Sequence, residues 1–430
     1  MNICIFGLWH LGSVTAACVA EHFPTVGLSS CDATVEKLQA GEPPIFEPGL
    51  AELVKAGIAS QRLRFTTDLA AVAEAGIVWV TFDTPVNEND EADVDYVERQ
   101  VASLFPLLRD GCIVLISSQI AAGSTRRMEA AFRKERPGAK VSFAYSPENL
   151  RLGKALDAFR HPARIVIGVR EDSDREPLQS LLSPFCKNLL WVSVESAEMT
   201  KHALNAFLAT SVAFINEIAA LCEHTGADAK EVESGLKSDD RIGPKAYLAA
   251  GGPFSGGTLA RDISFLNQLG RESHLPVPLL ESVRTSNDLH KEWVRRRLSA
   301  ALGSIKGKNI AILGLTYKAG TDTLRRSASI ELCEWLLQSG AGIRAFDPAV
   351  KELPPELKGI QLANSLTEAI QAADAIVVAT EWPEFRQLLL EDVLATKARL
   401  VIDANGFLQN VFAQCPSVQY WRVGRVSTFA

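Results

Sequence analysis

Asn2-Ile3-Cys4-Ile5-Phe6-Gly7-Leu8-Trp9-His10-Leu11-Gly12 opens the chain, and the plan returns late in it as Asn309-Ile310-Ala311-Ile312-Leu313-Gly314-Leu315-Thr316-Tyr317-Lys318-Ala319-Gly320. Each stretch is a short β-branched run that turns at a glycine and passes into a helical pattern, the opening of a β-α-β unit. Outward from the first, strands are expected at Asn2–Phe6, Thr25–Ser29, Ile77–Phe82, Cys112–Ser118, Val141–Tyr145, Arg164–Val169 and Leu190–Val194. Outward from the second they are expected at Asn309–Leu313, Ile343–Asp347, Ala375–Thr380 and Leu400–Asp403. Between the two, Ala197 to Glu223 reads as one helix, with Leu204, Phe207, Leu208, Val212, Ile215, Ile218 and Leu221 at helical spacing. More helix follows to about Arg297, broken by the glycine-rich run Gly251–Gly257.

The expected fold class is therefore α/β: two Rossmann-like doubly wound parallel sheets joined by a mainly helical central domain. The domain limits are drawn at 1–194, 195–300 and 301–430. A length of 430 residues suits this count at about 150 residues per domain. With 47% apolar and 22% charged residues, the chain has the composition of a globular protein. Its net charge of −7 has the wrong sign for capturing nucleic acid or an anionic membrane, so neither is expected as a partner. No unbroken apolar run reaches the roughly 18 residues of a membrane span, and Met1-Asn2 leads straight into a strand pattern, so the chain reads as cytoplasmic. Cysteines 4, 18, 31, 112, 186, 222, 333 and 415 include no C-x-x-C pair; reduced, buried thiols are expected, with no metal site.

Gly7-Leu8-Trp9-His10-Leu11-Gly12 stands where a dinucleotide fingerprint belongs, with Trp9 in place of the middle glycine. In such a motif the first glycine permits the turn, the second admits the pyrophosphate and the third lets helix meet strand. Alone, the segment reads equally as a plain strand-turn-helix. The acid expected at the end of the second strand is displaced to Asp32, either a ribose ligand or a helix N-cap. No arginine stands near it for a 2′-phosphate, which favours NAD over NADP.

Other motifs are far more specific: "GEPPIFEPGL" (Gly41–Leu50), Thr84-Pro85, "SPENLRLGKA" (Ser146–Ala155), "EMTKHALNAF" (Glu198–Phe207), "DDRIG" (Asp239–Gly243), "GGPFSGGTLARD" (Gly251–Asp262), "GLTYKAGTDTLRRS" (Gly314–Ser327), "FDP" (Phe346–Pro348) and "TEW" (Thr380–Trp382). In this order they resemble the UDP-glucose/GDP-mannose dehydrogenase family along nearly the whole chain. The resemblance implies an NAD-binding first domain, a central helical domain forming a homodimer contact, and a last domain covering the nucleotide of an NDP-sugar, most simply a UDP-hexose. Family members oxidise the sugar C6 alcohol to a carboxylate and reduce two NAD per sugar. Cofactor contacts are implied at Gly7, His10, Leu11, Gly12, Asp32, Thr84, Ser118 and Arg325.

Lys201 and Asn205 lie four apart on the long helix and share a face. Read plainly they are a solvated charge and a buried polar group; the resemblance points both into the sugar site, where they stabilise developing oxyanion charge. Glu148 and Arg151 read plainly as a turn salt bridge; the resemblance puts Glu148 beside the nicotinamide, with Leu150 and Arg151 along the sugar. The glycine run is either a connector or, with Phe254, Gly256 and Gly257, a backbone surface for the hexose. Lys318 and Arg325 are implied pyrophosphate partners, and Arg241 is implied to reach across a subunit boundary.

The departures cluster on the redox chemistry. Thr258 occupies the place of the family's nucleophilic cysteine, Gln119 and Leu152 replace a threonine and a glutamate, and Arg261 replaces a lysine. A threonine hydroxyl is far less acidic than a thiol, and Asp262 is a doubtful base for it. The leading expectation is NAD-dependent oxidation of a nucleotide sugar, shortened to one hydride transfer or completed without a thioester. The alternatives are a nucleotide-sugar-binding protein with impaired catalysis and a 3-hydroxyacid dehydrogenase, in which the second α/β domain has no role.

Overall fold

The computed structural model describes residues 1–85, 93–148, 150–255, 258–412 and 415–426. It forms two compact units, Met1–Ala203 and Leu204–Ala430.

The first unit holds strands β1 (Ile3–Phe6), β2 (Thr25–Leu28), β3 (Leu63–Thr66), β4 (Ile77–Val80), β5 (Ile113–Ile116), β6 (Ser142–Tyr145), β7 (Ile165–Val169) and β8 (Leu189–Ser193). They lie in the order β3-β2-β1-β4-β5-β6-β7-β8. All neighbours run parallel except β6 and β7. The central strands "ICIF", "IVWV" and "IVLI" are buried along their whole length, because helices cover both faces of a parallel sheet. Alternate residues supply two cores: Ile3, Ile5 and Trp79 on one face, Cys4, Phe6 and Val78 on the other. Strand order reverses between β1 and β4, and the carboxyl ends of those strands form the crevice where such sheets take ligands.

The second unit carries helices Ala229–Lys237, Thr258–Glu272 and Pro278–Leu302 and a second sheet. Its strands are β9 (Asn309–Leu313), β10 (Gly342–Phe346), β11 (Ile360–Leu362), β12 (Ala375–Val378), β13 (Leu400–Asp403), β14 (Gln419–Arg422) and β15 (Arg425–Val426). Their order, β11-β10-β9-β12-β13-β14-β15, repeats the reversal beside β9, and only the closing β14–β15 hairpin is antiparallel.

The long helix runs from Val194 to Thr225, a few residues beyond its expected limits. Among the described residues it is the one helix long and apolar enough to cross a membrane, yet Lys201, His202, Asn205 and Asn216 on it are buried. The fold class is as expected, with two corrections. The sheets are not wholly parallel, and β3, β11, β14 and β15 escaped the reading. These four lie at or near sheet edges and are short; β3, "LRFT", alternates apolar with exposed Arg64 and lacks the continuous apolar run that marks a central strand.

Candidate active site

Gly7 ends β1 with φ +102, and a Cβ there would come within 2.9 Å of the Phe82 main-chain nitrogen. A Cβ on Gly12 would lie 1.7 Å from the Gly7 carbonyl oxygen, so helix and strand meet as the third glycine of a fingerprint requires. Trp9, at the place of the missing middle glycine, has φ −87, so no left-handed backbone requires a glycine there, and it is 51% exposed. Trp9 is the N-cap of helix His10–Val19, which has no side-chain cap and no acid in its first turn. Its open amides and positive end suit a pyrophosphate. Beyond β5, Ser118 is wholly buried with no hydrogen-bond partner for its hydroxyl among the described residues, and Thr84 donates to the Gln119 carbonyl at 2.6 Å. The glycine cradle, bare helix end and orphaned hydroxyl fit a dinucleotide.

Asp32 is exposed and is the first helical residue of Asp32–Gln39; Cys31, not Asp32, is that helix's N-cap. Ser29 ends the strand run and accepts from the Cys31 amide at 3.2 Å. Leu11 is buried and His10 half-buried. Leu11, Trp79, Glu148 and Leu150 line a single cavity at the carboxyl edge of the first sheet.

Sequence reasoning gave no role to Glu47, although it lies within a quoted motif. Its buried carboxylate accepts from the Gly153 and Ala155 amides at 2.8 Å each and pairs with His10 Nε2 at 3.0 Å. It thereby caps helix Ala155–Arg160 and ties the turn after Glu148 to the helix end at His10. Glu198 plays the same part for helix Ser124–Glu135, accepting from the Gly123 and Thr125 amides at 2.5 and 2.9 Å. With the His202 Nε2 contact to the Ile120 oxygen at 2.9 Å, it anchors the start of the long helix and sets the direction of Lys201.

Lys201 is no solvated charge: it is 5% exposed. Its ammonium donates to the main-chain oxygen of Glu148 at 2.5 Å and stands 3.3 Å from the carboxylate. The other carboxylate oxygen of Glu148 accepts from the Leu150 amide at 2.7 Å, so Glu148 pairs with Lys201 and its own turn, whereas Arg151 is exposed.

In the second unit Asn205 and Asp262 are both buried, and the Asn205 amide donates to the Asp262 carboxylate. Thr258 is exposed at the start of the same helix, Thr258–Glu272, one turn before the wholly buried Asp262. Phe254 is half-buried against Ala206, Ala209, Ile263 and Val283. Gly256 and Gly257 lie outside the described residues. Arg241 is exposed and paired with Asp239 at 2.8 Å.

Lys318 and Arg325 lie in the segment between β9 and helix Ala328–Gln338, in the second unit. Lys318 Nζ is 5.6 Å from the Tyr317 ring centre. That segment's start is held by Asp347, a buried carboxylate that accepts from the Leu315 and Thr316 amides at 2.7 and 3.0 Å and from Trp382 Nε1 at 3.1 Å. The motifs "FDP" and "TEW" therefore build the second turn.

Known proteins match this arrangement along the chain. The UDP-glucose/GDP-mannose dehydrogenase family matches through its NAD binding domain at residues 1–186, its central domain at 195–289 and its UDP binding domain at 311–410. The UDP-glucose 6-dehydrogenase of Pseudomonas aeruginosa is 36% identical over 404 residues, covering 90% of this chain and 89% of that protein. That of Rhizobium meliloti is 35% identical, covering 99% and 100%. The solved structure of a UDP-glucose dehydrogenase from the hyperthermophilic archaeon Pyrobaculum islandicum superposes with a TM-score of 0.84 at 28% identity, covering 92% of this chain and 96% of that one.

Proposed function

Since the chain belongs to the UDP-glucose/GDP-mannose dehydrogenase family, we propose that it is an NAD-dependent oxidoreductase acting on the C6 alcohol of a UDP-hexose. The observation that carries the reading is the buried Lys201 ammonium on the oxygens of Glu148, at the edge of a sheet whose first turn fits a dinucleotide. Bound NAD supplies the hydride acceptor. Gly7, His10, Leu11, Gly12, Asp32, Thr84 and Ser118 hold the cofactor. Lys201 stabilises the alkoxide character that develops on the C6 oxygen as its C–H hydride leaves, and Glu148, directly or through a water, receives the hydroxyl proton. Asn205, whose amide Asp262 orients, is a further hydrogen-bond donor for the sugar. Lys318 and Arg325 pair with the pyrophosphate, and Phe254 with its neighbouring backbone meets the hexose.

One hydride and one proton leave the alcohol to give the aldehyde. A second oxidation by the thiol route requires addition of a thiolate to that aldehyde, and the exposed Thr258 offers none. The product is therefore the aldehyde, or an acid formed without a covalent enzyme intermediate when water adds to the aldehyde and the hydrate gives a second hydride to a second NAD and a proton to solvent. Three working parts, 1–194, 195–300 and 301–430, match these roles.

Phe207, Phe214 and Leu221 are 67%, 47% and 62% exposed and recur every seven residues, so one face of the long helix is apolar and uncovered. A second copy of the chain covers it in this reading, as a homodimer. The eight unpaired cysteines support a cytoplasmic location. Impaired binding-only and 3-hydroxyacid dehydrogenase readings are not favoured: Gly7 and Gly12 keep the close helix–strand approach of a dinucleotide turn, and the UDP binding domain spans 311–410. The test is a screen of UDP-, GDP- and TDP-hexoses for NADH formation. NADH with a UDP-hexose supports the reading; tight UDP-hexose binding with no NAD binding would sink it.

A further inference from the structure

Gly251, Gly252 and Phe254 stand in a segment with neither helix nor strand, and each presents one N–H and one C=O. Side chains of the second unit take all six groups. Asn216 accepts from the Gly251 amide at 3.0 Å and donates to the Gly252 carbonyl at 3.3 Å. Asn287 accepts from the Phe254 amide at 2.9 Å and donates to the Phe254 carbonyl at 3.0 Å. His290 Nε2 donates to the Gly251 carbonyl at 2.7 Å, and Asn405 accepts from the Gly252 amide at 2.7 Å.

The two asparagines copy a strand neighbour, each giving and taking one bond through a single carboxamide, which neither an aspartate nor a leucine can do. Asn216, Asn287 and His290 are 2%, 3% and 9% exposed. A buried backbone group left without its partner costs more than the bond itself contributes, so these side chains permit one placement of the segment. Asn216 lies on the long helix and Asn287 and His290 on Pro278–Leu302, so the placement is set by two rigid helices.

We propose that Asn216, Asn287 and His290 are positioning residues that present the Gly251–Phe254 backbone to the hexose, so that they govern recognition of the sugar and not of the nucleotide. The inference rests on the reading above that this segment meets the sugar. Hexoses differ in the placement of single hydroxyls, and a backbone shifted by about 1 Å loses that discrimination.

The test compares, by calorimetry on the full chain, the affinities for UDP and for the UDP-hexose that yields NADH. In the wild type the hexose adds affinity over UDP. Asn287→Asp keeps the shape but removes the donor; it lowers that gain roughly tenfold and leaves the affinities for UDP and NAD within about twofold. NAD binding reports that the protein is folded. If Asn287→Asp does not fold, Gly251→Ala serves, since its Cβ would come within 2.3 Å of the Asn405 side-chain oxygen and push the segment without burying a charge; the same selective loss is expected. Equal loss for UDP and UDP-hexose, or an undiminished gain, overturns the inference alone. A wild type that binds both equally overturns the reading beneath it as well.

Discussion

The Lys201 ammonium donates to the Glu148 carbonyl oxygen at 2.5 Å and lies 3.3 Å from the Glu148 carboxylate, with only 5% of Lys201 exposed. A buried cation fixed by two oxygens is prepaid orientation for charge that develops on a substrate oxygen. Lys201→Met should lower kcat about a hundredfold or more with the Kd for NAD unchanged, as read by steady-state NADH formation and by NAD titration. A loss confined to KM would contradict that role.

Asn205 and Asp262 should act as one unit. Replacing either with leucine takes this hydrogen bond from a buried polar partner, costing about 1–3 kcal/mol of stability, and the double variant should lose less than the sum of the singles. Thermal or denaturant unfolding of the four proteins gives the coupling directly. Simple additivity would show that the pair is not energetically linked.

Glu47 offers a test of the scaffold. Glu47→Ala strips a helix cap and the His10 contact together and should destabilise the protein by about 2 kcal/mol or more, lowering Tm and weakening NAD binding through the turn at His10. Unchanged Tm would mean that the Gly153 and Ala155 amides find other partners.

His290 makes stability pH-dependent. Burial, aided by Arg296, holds its pKa below the ordinary histidine value, against the opposing influences of the Gly251 carbonyl and Glu223. The folded chain therefore binds fewer protons here than the unfolded chain, whose histidine titrates near 6.5. The contribution is fully present above about pH 6.5 and is lost as pH falls below it. His290→Gln should flatten the fall in denaturation midpoint between about pH 7 and 5; an unaltered slope would assign the acid sensitivity elsewhere.

Thiol chemistry separates this chain from one with a catalytic cysteine. Burial pushes Cys4, Cys18 and Cys333 up to about 12 and Cys112 up to about 11, whereas hydrogen bonds from Thr34 hold the exposed Cys31 below its ordinary value. Iodoacetamide should label Cys31 first and leave kcat at saturating NAD intact, as followed by peptide mass and NADH formation. Loss of kcat on alkylation of any other cysteine would reveal a nucleophile not accounted for by Thr258.

Both sheets were legible because each pairs a continuous apolar strand with a glycine turn, as in Ile3–Gly7 and Asn309–Gly314; β3 and β11 were not, being short edge strands with little apolar signal. Lys201 and Asn205 were legible as a helical pair, but the burial of Lys201 was not, because Glu148 reaches it only through the turn that Glu47 holds, while Glu198 anchors the helix that carries Lys201. Asn216, Asn287 and His290 were missed since bonds from side chains to a distant backbone leave no spacing in the sequence. Asp32 shows the converse: an acid near the expected place, carried by an extra turn beyond β2 to an exposed helix start.

The central claim, hydride removal from a nucleotide sugar without a thiol intermediate, is tested most directly by counting NADH formed per UDP-hexose consumed while recording intact-protein and product masses. The account predicts NADH coupled to a product lighter by two hydrogens, or to its acid, with the protein mass unchanged throughout turnover. No NADH with any nucleotide sugar, or two NADH per sugar accompanied by a trapped covalent enzyme adduct, would contradict it.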